Sequence, residues 1–157
     1  MEPAAENAPP HYNLGYVWLI SLVAAMGGLL FGYDWVVIGG AKPFFEPFFN
    51  LSRESLRGWA NSCALLGCLA GAVLSGGMGD RFGRKRLLVV AALLFAVSSG
   101  LTGWASSFSW FGAFRILGGV AIGMASNLSP MYIAEGAPAY IRGRLVSTNQ
   151  LTIVIGI

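Results

Sequence analysis

Two ionisable residues lie inside long apolar segments, where they could take part in proton chemistry. Asp34 is the single charged residue of the segment 16–41, and Arg115 is the single one of the segment 87–134. Charged side chains within membrane-spanning segments usually face the protein interior and mark an ion or proton pathway. We expect the segment 87–134 to form two helices, of which the second contains Arg115. If the helix with Asp34 runs outward and the helix with Arg115 runs inward, both residues lie about 10 Å below the outer ends of their helices. We therefore expect them to pair, because a shared ion pair reduces the penalty of burying each charge.

Such a pair could act as a switch. An aspartate beside an arginine stays ionised, and it loses that preference when a conformational change separates the two side chains. Protonation of Asp34 would release Arg115, so proton binding could be coupled to a change of shape. The alternative interpretation is a static buried salt bridge that only stabilises helix packing.

The composition indicates a membrane protein. The chain has 157 residues, of which 55% are hydrophobic and only 11% are charged, whereas soluble domains carry about 25% charged residues. The net charge of +3 does not indicate nucleic-acid binding, because the basic residues are scattered through predicted loops and form no continuous stripe. We therefore expect the lipid bilayer, and no nucleic acid, as a partner.

The apolar segments predict four complete membrane spans and one partial span, since about 20 apolar residues are needed to cross the hydrocarbon. Residues 1–13 are predicted to be a disordered cytoplasmic tail, and residues 14–157 a partial transmembrane bundle. The fifth segment would reach only about 20 Å, so we expect the chain to be the N-terminal part of a longer protein. The predicted spans are 16–41, 59–79, 87–106, 109–134 and 145–157.

The segment 76–86, Gly-Gly-Met-Gly-Asp-Arg-Phe-Gly-Arg-Lys-Arg, is predicted to be a charged turn between two spans. An Arg or Lys at the centre of a membrane helix costs about 2.5–3.5 kcal/mol, so this turn should lie outside the hydrocarbon. Lys and Arg are more frequent in cytoplasmic loops, which predicts a cytoplasmic N-terminus. On the predicted cytoplasmic side lie Arg81, Arg84, Lys85, Arg86, Arg142 and Arg144, and on the outer side lie Lys42, Arg53 and Arg57.

Glycines spaced four residues apart are typical of membrane helices that approach each other closely. Gly28 and Gly32 form one such pair in the first span, and Gly119 and Gly123 form another in the fourth. We expect both pairs to serve helix packing within the bundle. The alternative for Gly119 and Gly123 is a docking face for another protein.

The residue types needed for an enzyme are missing from the predicted spans. His11 is the single histidine and lies in the predicted tail, while Cys63 and Cys68 are not spaced like zinc ligands or a redox pair. The segment 79–85 lacks the strand and the Gly-Lys-Ser/Thr ending of a phosphate-binding loop. We expect no enzymatic activity, no metal site and no cofactor.

With these motifs identified, the chain resembles the sugar porter family of the major facilitator superfamily. The resemblance implies an all-α membrane protein with the major facilitator fold, of which this chain holds the first four transmembrane helices and part of the fifth. It also implies a twelve-helix transporter that works by alternating access and needs a C-terminal half. The resemblance rests on the segments 28–34 (GLLFGYD), 76–86, 115–123 (RILGGVAIG), 129–135 (SPMYIAE), 142–144 (RGR) and 149–150 (NQ).

In this family, the position of Gln150 hydrogen-bonds sugar hydroxyls in the central cavity, and the position of Phe31 lies close to the sugar. An amide suits a neutral polyhydroxylated ligand because it offers both donors and an acceptor. The alternative for Gln150 is a helix-start residue near the cytoplasmic interface, and Phe31 considered alone would be ordinary packing.

The resemblance further implies a cytoplasmic gating network that joins helix ends while the transporter is open outward. Exposed ion pairs are worth only about 0–1 kcal/mol each, which suits contacts that must open again. The alternative role for the basic members is attraction to anionic lipids. The network would consist of Asp80, Arg81, Arg84, Glu135 and Arg142.

Asp34 decides the mechanism that the resemblance implies, because proton-coupled bacterial sugar porters carry an aspartate at this position. We expect a cell-membrane symporter that takes a neutral monosaccharide, xylose or a hexose, together with protons. The alternatives are an uncoupled sugar facilitator and a nonfunctional or regulatory membrane fragment. The short outer loop predicted at 42–57 is a possible departure from the family.

Overall fold

The computed structural model describes residues 13–157, which form five α-helices joined by short connections. Apart from Asn13, the predicted tail 1–13 lies outside the described residues. The helices are α1 (Leu14–Phe48), α2 (Glu54–Phe82), α3 (Arg84–Gly103), α4 (Phe108–Gly136) and α5 (Arg142–Gly156).

The first helix is longer than the predicted span because neither of its prolines ends it. It starts after Asn13, whose side-chain oxygen accepts a hydrogen bond from the backbone N–H of Tyr16 at 3.3 Å and so caps the helix. At the other end the helix continues through Pro43 and Pro47. The outer loop predicted at 42–57 was therefore too long, since only residues 49–53 lie between α1 and α2.

The charged segment 76–86 is helical except at Gly83, which corrects the expectation of a compact turn over these residues. Helix α2 continues to Phe82 and α3 begins at Arg84, so Gly83 alone joins them. Gly83 has φ of 84°, a backbone conformation that costs glycine little and other residues considerably more. Asp80 and Arg81 consequently lie on the last turn of α2, and the basic residues that follow lie on the first turn of α3.

The helices α2 and α4 pack most extensively, followed by α3 with α4 and α1 with α5. Glycines make the closest approaches possible, since a Cβ on Gly119 would overlap the carbonyl oxygen of Ala64, and a Cβ on Gly123 would overlap that of Cys68. In the same way, a Cβ on Gly32 of α1 would overlap the carbonyl oxygen of Ile153 of α5. Because Gly119 and Gly123 are in contact with α2, they are not available as a separate docking face.

Four of the helices, α1 to α4, are long and apolar enough to cross a membrane. Their outward faces carry many exposed large apolar side chains, among them Leu19, Val23, Leu69, Val73 and Leu93. Such faces are compatible with lipid and not with water, because lipid tails solvate apolar side chains. Helix α5 has 15 residues in this structure.

Candidate functional site

The predicted pairing of Asp34 and Arg115 is present in the structure. Nη1 of Arg115 donates to Oδ1 of Asp34 at 2.6 Å, and Nη2 donates to Oδ2 at 3.2 Å. The side chain of Asp34 is 16% exposed and that of Arg115 is 11% exposed. This two-pronged geometry satisfies both carboxylate oxygens and is the strongest form of an arginine–carboxylate interaction. The pair joins α1 to α4 across 81 residues of sequence.

A small cavity lies against this ion pair, with a volume of about 20 Å³. Helix α1 contributes Phe31 to its wall beside Asp34, so the structure places one of the two predicted sugar-binding residues next to the predicted proton-coupling pair. Gln150 is not among the lining residues. The cavity is lined by Phe31, Asp34, Trp35, Asn61, Ala64, Leu65, Cys68, Arg115 and Ile122.

Gln150 is exposed on α5, whereas its neighbour Asn149 is buried and only 3% exposed. Consecutive helical residues point about 100° apart, so burial of Asn149 between helices turns Gln150 away from them. The side-chain oxygen of Asn149 lies 2.9 Å from Oγ of Ser129 on α4, and Ser129 also contacts the carbonyl oxygen of Ala24 on α1.

A hydroxyl carries one proton and cannot donate to both of these oxygens. Both contacts become hydrogen bonds when Asn149 presents its amide Nδ2 to Ser129 and the hydroxyl of Ser129 donates to Ala24. One turn further along α5, Oγ1 of Thr152 lies 2.7 Å from the carbonyl oxygen of Ala25. These polar contacts join α1, α4 and α5 and hold α5 in one rotational orientation.

Close approach of the backbones makes this arrangement possible. A Cβ on Gly28 would lie 2.7 Å from the carbonyl oxygen of Asn149 and 2.9 Å from Oγ1 of Thr152. Only glycine leaves enough room at this crossing, which places Gly28 and Gly32 at the α1–α5 contact.

Three of the five predicted gating residues are brought together at the α2–α3–α4 end of the bundle. Arg84 lies 3.0 Å from Asp80 and 2.9 Å from Glu135. Arg81 instead lies over the ring of Phe82, 5.7 Å from its centre. Within residues 13–157, Arg142 forms no ion pair.

Several polar and glycine positions that matter for this arrangement were not singled out from the sequence. Gly67 and Gly71 of α2 complement the glycines of α4, because a Cβ on either would overlap the carbonyl oxygen of Ile116 or Val120. The four-residue spacing of Gly67 and Gly71 is the sequence pattern that indicates their role in helix packing. Asn127 of α4 donates to Oγ of Ser75 on α2 at 2.9 Å, and its polar side chain within an apolar span was the corresponding signal.

The described residues 13–157 contain no cluster of three or more His, Cys, Asp or Glu side chains that could hold a metal ion. Cys63 and Cys68 are both free thiols. The arrangement therefore offers a buried ion pair, an exposed amide and a charged helix-end cluster as its chemical groups.

The sequence of this chain is similar to those of known sugar transporters. Residues 20–157 match the family model described as "Sugar (and other) transporter". The chain is 43% identical to the D-xylose-proton symporter of Escherichia coli strain K12, over 92% of this chain and 35% of that protein. It is 44% identical to the arabinose-proton symporter of Bacillus subtilis strain 168, over 100% of this chain and 33% of that protein. It therefore spans about a third of the length of these relatives.

The structure is also similar to solved structures of XylE, a proton:xylose symporter of the major facilitator superfamily. Against the form bound to 6-bromo-6-deoxy-D-glucose, the TM-score is 0.87 at 41% identity, covering 92% of this chain and 36% of that one. Against the inward-open form from E. coli the TM-score is 0.85, also at 41% identity, covering 90% of this chain and 37% of that one. The predicted all-α major facilitator fold, limited to its N-terminal helices, is confirmed.

Proposed function

Because the chain belongs to the sugar transporter family of the major facilitator superfamily, a family of transporters and not of enzymes, we propose that it forms the N-terminal third of a proton-coupled monosaccharide transporter. The relatives named above are symporters for xylose and arabinose, and a further relative is a glucose transport protein of Synechocystis. The proposed cargo is therefore a neutral pentose or hexose, carried together with protons.

The ion pair between Asp34 and Arg115 is the observation that carries the proposed coupling. It joins two different helices, is largely buried, and holds both carboxylate oxygens. Protonation of Asp34 removes the charge that holds Arg115, so α1 and α4 lose the ion pair that joins them. A change in proton occupancy is thereby linked to a change in helix contacts, which is what alternating access coupled to a proton gradient requires.

The test of coupling uses the full-length transporter that carries this segment, expressed in cells with a proton gradient. Sugar addition is expected to raise the external pH. Asp34→Asn is expected to abolish accumulation against a gradient while sparing sugar exchange, because exchange needs no net proton movement. The matched control is Glu54→Gln, which should keep accumulation. It removes an exposed carboxylate at the start of α2, a helix that contributes neither member of the ion pair.

Concentrative uptake that persists in Asp34→Asn would contradict the proton role of Asp34. If sugar merely equilibrates in the unmodified transporter, with no change in external pH, the protein is an uncoupled facilitator and the ion pair is a static packing contact.

For sugar binding we propose Gln150 as the hydrogen-bonding residue and Phe31 as an apolar contact. The exposure of Gln150, beside the buried Asn149, supports this role because its amide is free to reach a ligand. Gln150→Ala should raise the half-saturating sugar concentration about tenfold, the effect of losing one or two net hydrogen bonds. Thr148→Val is the control, since the hydroxyl of Thr148 bonds within its own helix to Arg144. An unchanged half-saturating concentration in Gln150→Ala would remove Gln150 from the site.

We further propose an inner-membrane location with the N-terminus in the cytoplasm, which the distribution of Lys and Arg supports. This orientation places Ser52, between α1 and α2, on the periplasmic side of the membrane and Lys85, at the start of α3, on the cytoplasmic side. In intact cells, a membrane-impermeant maleimide should label Ser52→Cys and leave Lys85→Cys unlabelled. The opposite labelling pattern would reverse the orientation.

A further inference from the structure

Asn61 is a polar residue of α2 that the proposed function leaves unexplained. It lies seven residues after the start of α2 and lines the cavity beside Asp34 and Arg115. The side chain of Asn61 is half-buried, and its Nδ2 donates to the carbonyl oxygen of Arg57 at 2.7 Å. Its Oδ1 remains free to accept a further hydrogen bond.

Each of the two polar residues that face this cavity with Asp34 has a group left over. Among residues 13–157, Oδ1 of Asn61 accepts no hydrogen bond. Arg115 uses Nη1 and Nη2 on Asp34, and its buried Nε has no acceptor among the same residues. A buried donor without an acceptor is rare and costly in native proteins. The residues that carry this donor and this acceptor therefore line one cavity and form no hydrogen bond with each other.

The size and lining of the cavity suit a single water molecule. Its volume of about 20 Å³ exceeds the roughly 10–15 Å³ that one water requires. A water also needs two to four polar partners, and the lining includes the polar residues Arg115, Asn61 and Asp34. It can accept from Nε of Arg115 and donate to Oδ1 of Asn61 and to the carboxylate of Asp34.

We propose that Asn61 is a positioning residue of the proton-coupling site and holds a water molecule against Arg115 and Asp34. This water delivers the proton to Asp34. The water accepts a proton from the aqueous phase outside on a free lone pair, one of its original O–H bonds breaks, and an O–H bond forms on the carboxylate, so that the water ends neutral. The proposal rests on the proposed function, because it assumes that Asp34 is the coupling group.

The charged and titratable groups that face Asp34 come from two helices. Arg115 approaches it from α4, and the thiols of Cys63 and Cys68 belong to α2, with Cys68 in the cavity wall. Neither α3 nor α5 contributes a residue to the lining of this cavity. The amide of Asn61 is therefore the polar group best placed to orient a water without adding a charge.

The test compares Asn61→Leu with Asn61→Ser in the full-length transporter. Leucine has a similar size and no polar atom, whereas serine keeps a hydroxyl that can hold the water. Asn61→Leu should slow sugar-induced proton uptake about tenfold, the effect of losing one hydrogen bond on the proton path, and leave sugar exchange unchanged. Asn61→Ser should remain within about twofold of the unmodified protein for both activities. Ser62→Val, on the adjacent exposed position, is the control.

Equal proton uptake in Asn61→Leu and in the unmodified transporter would overturn the inference while leaving the proposed function intact. An unmodified transporter without sugar-induced proton uptake would instead reject the proposed function. If Asn61→Leu also loses sugar exchange, the deciding measurement is a structure of the unmodified full-length transporter in which ordered water molecules are resolved. Density within hydrogen-bond distance of both Arg115 Nε and Asn61 Oδ1 supports the proposal, and a cavity without such density overturns it.

Discussion

The hydroxyl oxygen of Ser129 on α4 lies 2.9 Å from the side-chain oxygen of Asn149 on α5, and both residues are buried. When the amide of Asn149 donates a hydrogen bond to Ser129, the hydroxyl of Ser129 donates in turn to the carbonyl oxygen of Ala24 on α1. Three helices are thus joined through one hydroxyl, directly beside the residue proposed to bind sugar. This contact therefore favours the rotational orientation of α5 that buries Asn149 and leaves Gln150 exposed.

Ser129→Ala should lower the free energy of unfolding by about 1–3 kcal/mol, because the buried amide of Asn149 loses its partner. It should also raise the half-saturating sugar concentration, since α5 can then rotate. Ser147→Ala is the matched control, because this exposed hydroxyl bonds only within α5, to Gly143. Unfolding in detergent and uptake by the full-length transporter measure the two effects, and equal stability of both variants would contradict this role.

Gly119→Ala should destabilise the bundle by about 1–3 kcal/mol, the usual effect of overpacking, because the added methyl group overlaps the carbonyl oxygen of Ala64. Gly77→Ala should instead stabilise it by about 0.5–1 kcal/mol. This second glycine is helical and exposed with no neighbour within 4 Å, so alanine there only improves helix propensity. Thermal unfolding of both variants checks the difference in sign.

Removing Arg115 alone should be worse than removing both charges of the largely buried ion pair. Arg115→Ala leaves the carboxylate of Asp34 buried without its partner and should cost about 3–5 kcal/mol. The double variant Arg115→Ala with Asp34→Asn should recover part of this loss, because no uncompensated charge remains. Unfolding measurements on the single and double variants give the coupling free energy, and simple additivity would mean that the two side chains do not interact.

Glu135→Gln should shift the full-length transporter away from its outward-open state, because it weakens the contact between α4 and Arg84. An exposed ion pair is worth about 0–1 kcal/mol, so the ratio of the two states should change by up to about fivefold. Distances between spin labels on the cytoplasmic helix ends measure this ratio. Glu54→Gln, which removes an exposed carboxylate at the other end of α2, should leave it unchanged.

The sequence by itself determined the membrane class, the number of apolar segments and the partnership of Asp34 with Arg115. Each follows from local or one-dimensional properties: hydrophobic length decides what can cross a bilayer, and two opposite charges that stand alone in apolar spans favour pairing. The predicted depth of Asp34 was wrong, because α1 continues to Phe48 and Asp34 lies farther from the end of its helix than expected. The packing role of Gly28, Gly32, Gly119 and Gly123 was likewise readable, because their spacing places small residues on one face of a helix.

Only the tertiary structure decided which surfaces meet. It paired the glycines of α4 with Gly67 and Gly71 of α2, and it buried Asn149 while leaving Gln150 exposed. It also carried α1 through two prolines and reduced the charged turn to Gly83. Neighbouring residues on a helix differ by about 100° in direction, and what each one meets depends on helices distant in sequence. Burial and hydrogen-bond partners are therefore set by packing between helices, which no pattern within a single segment contains.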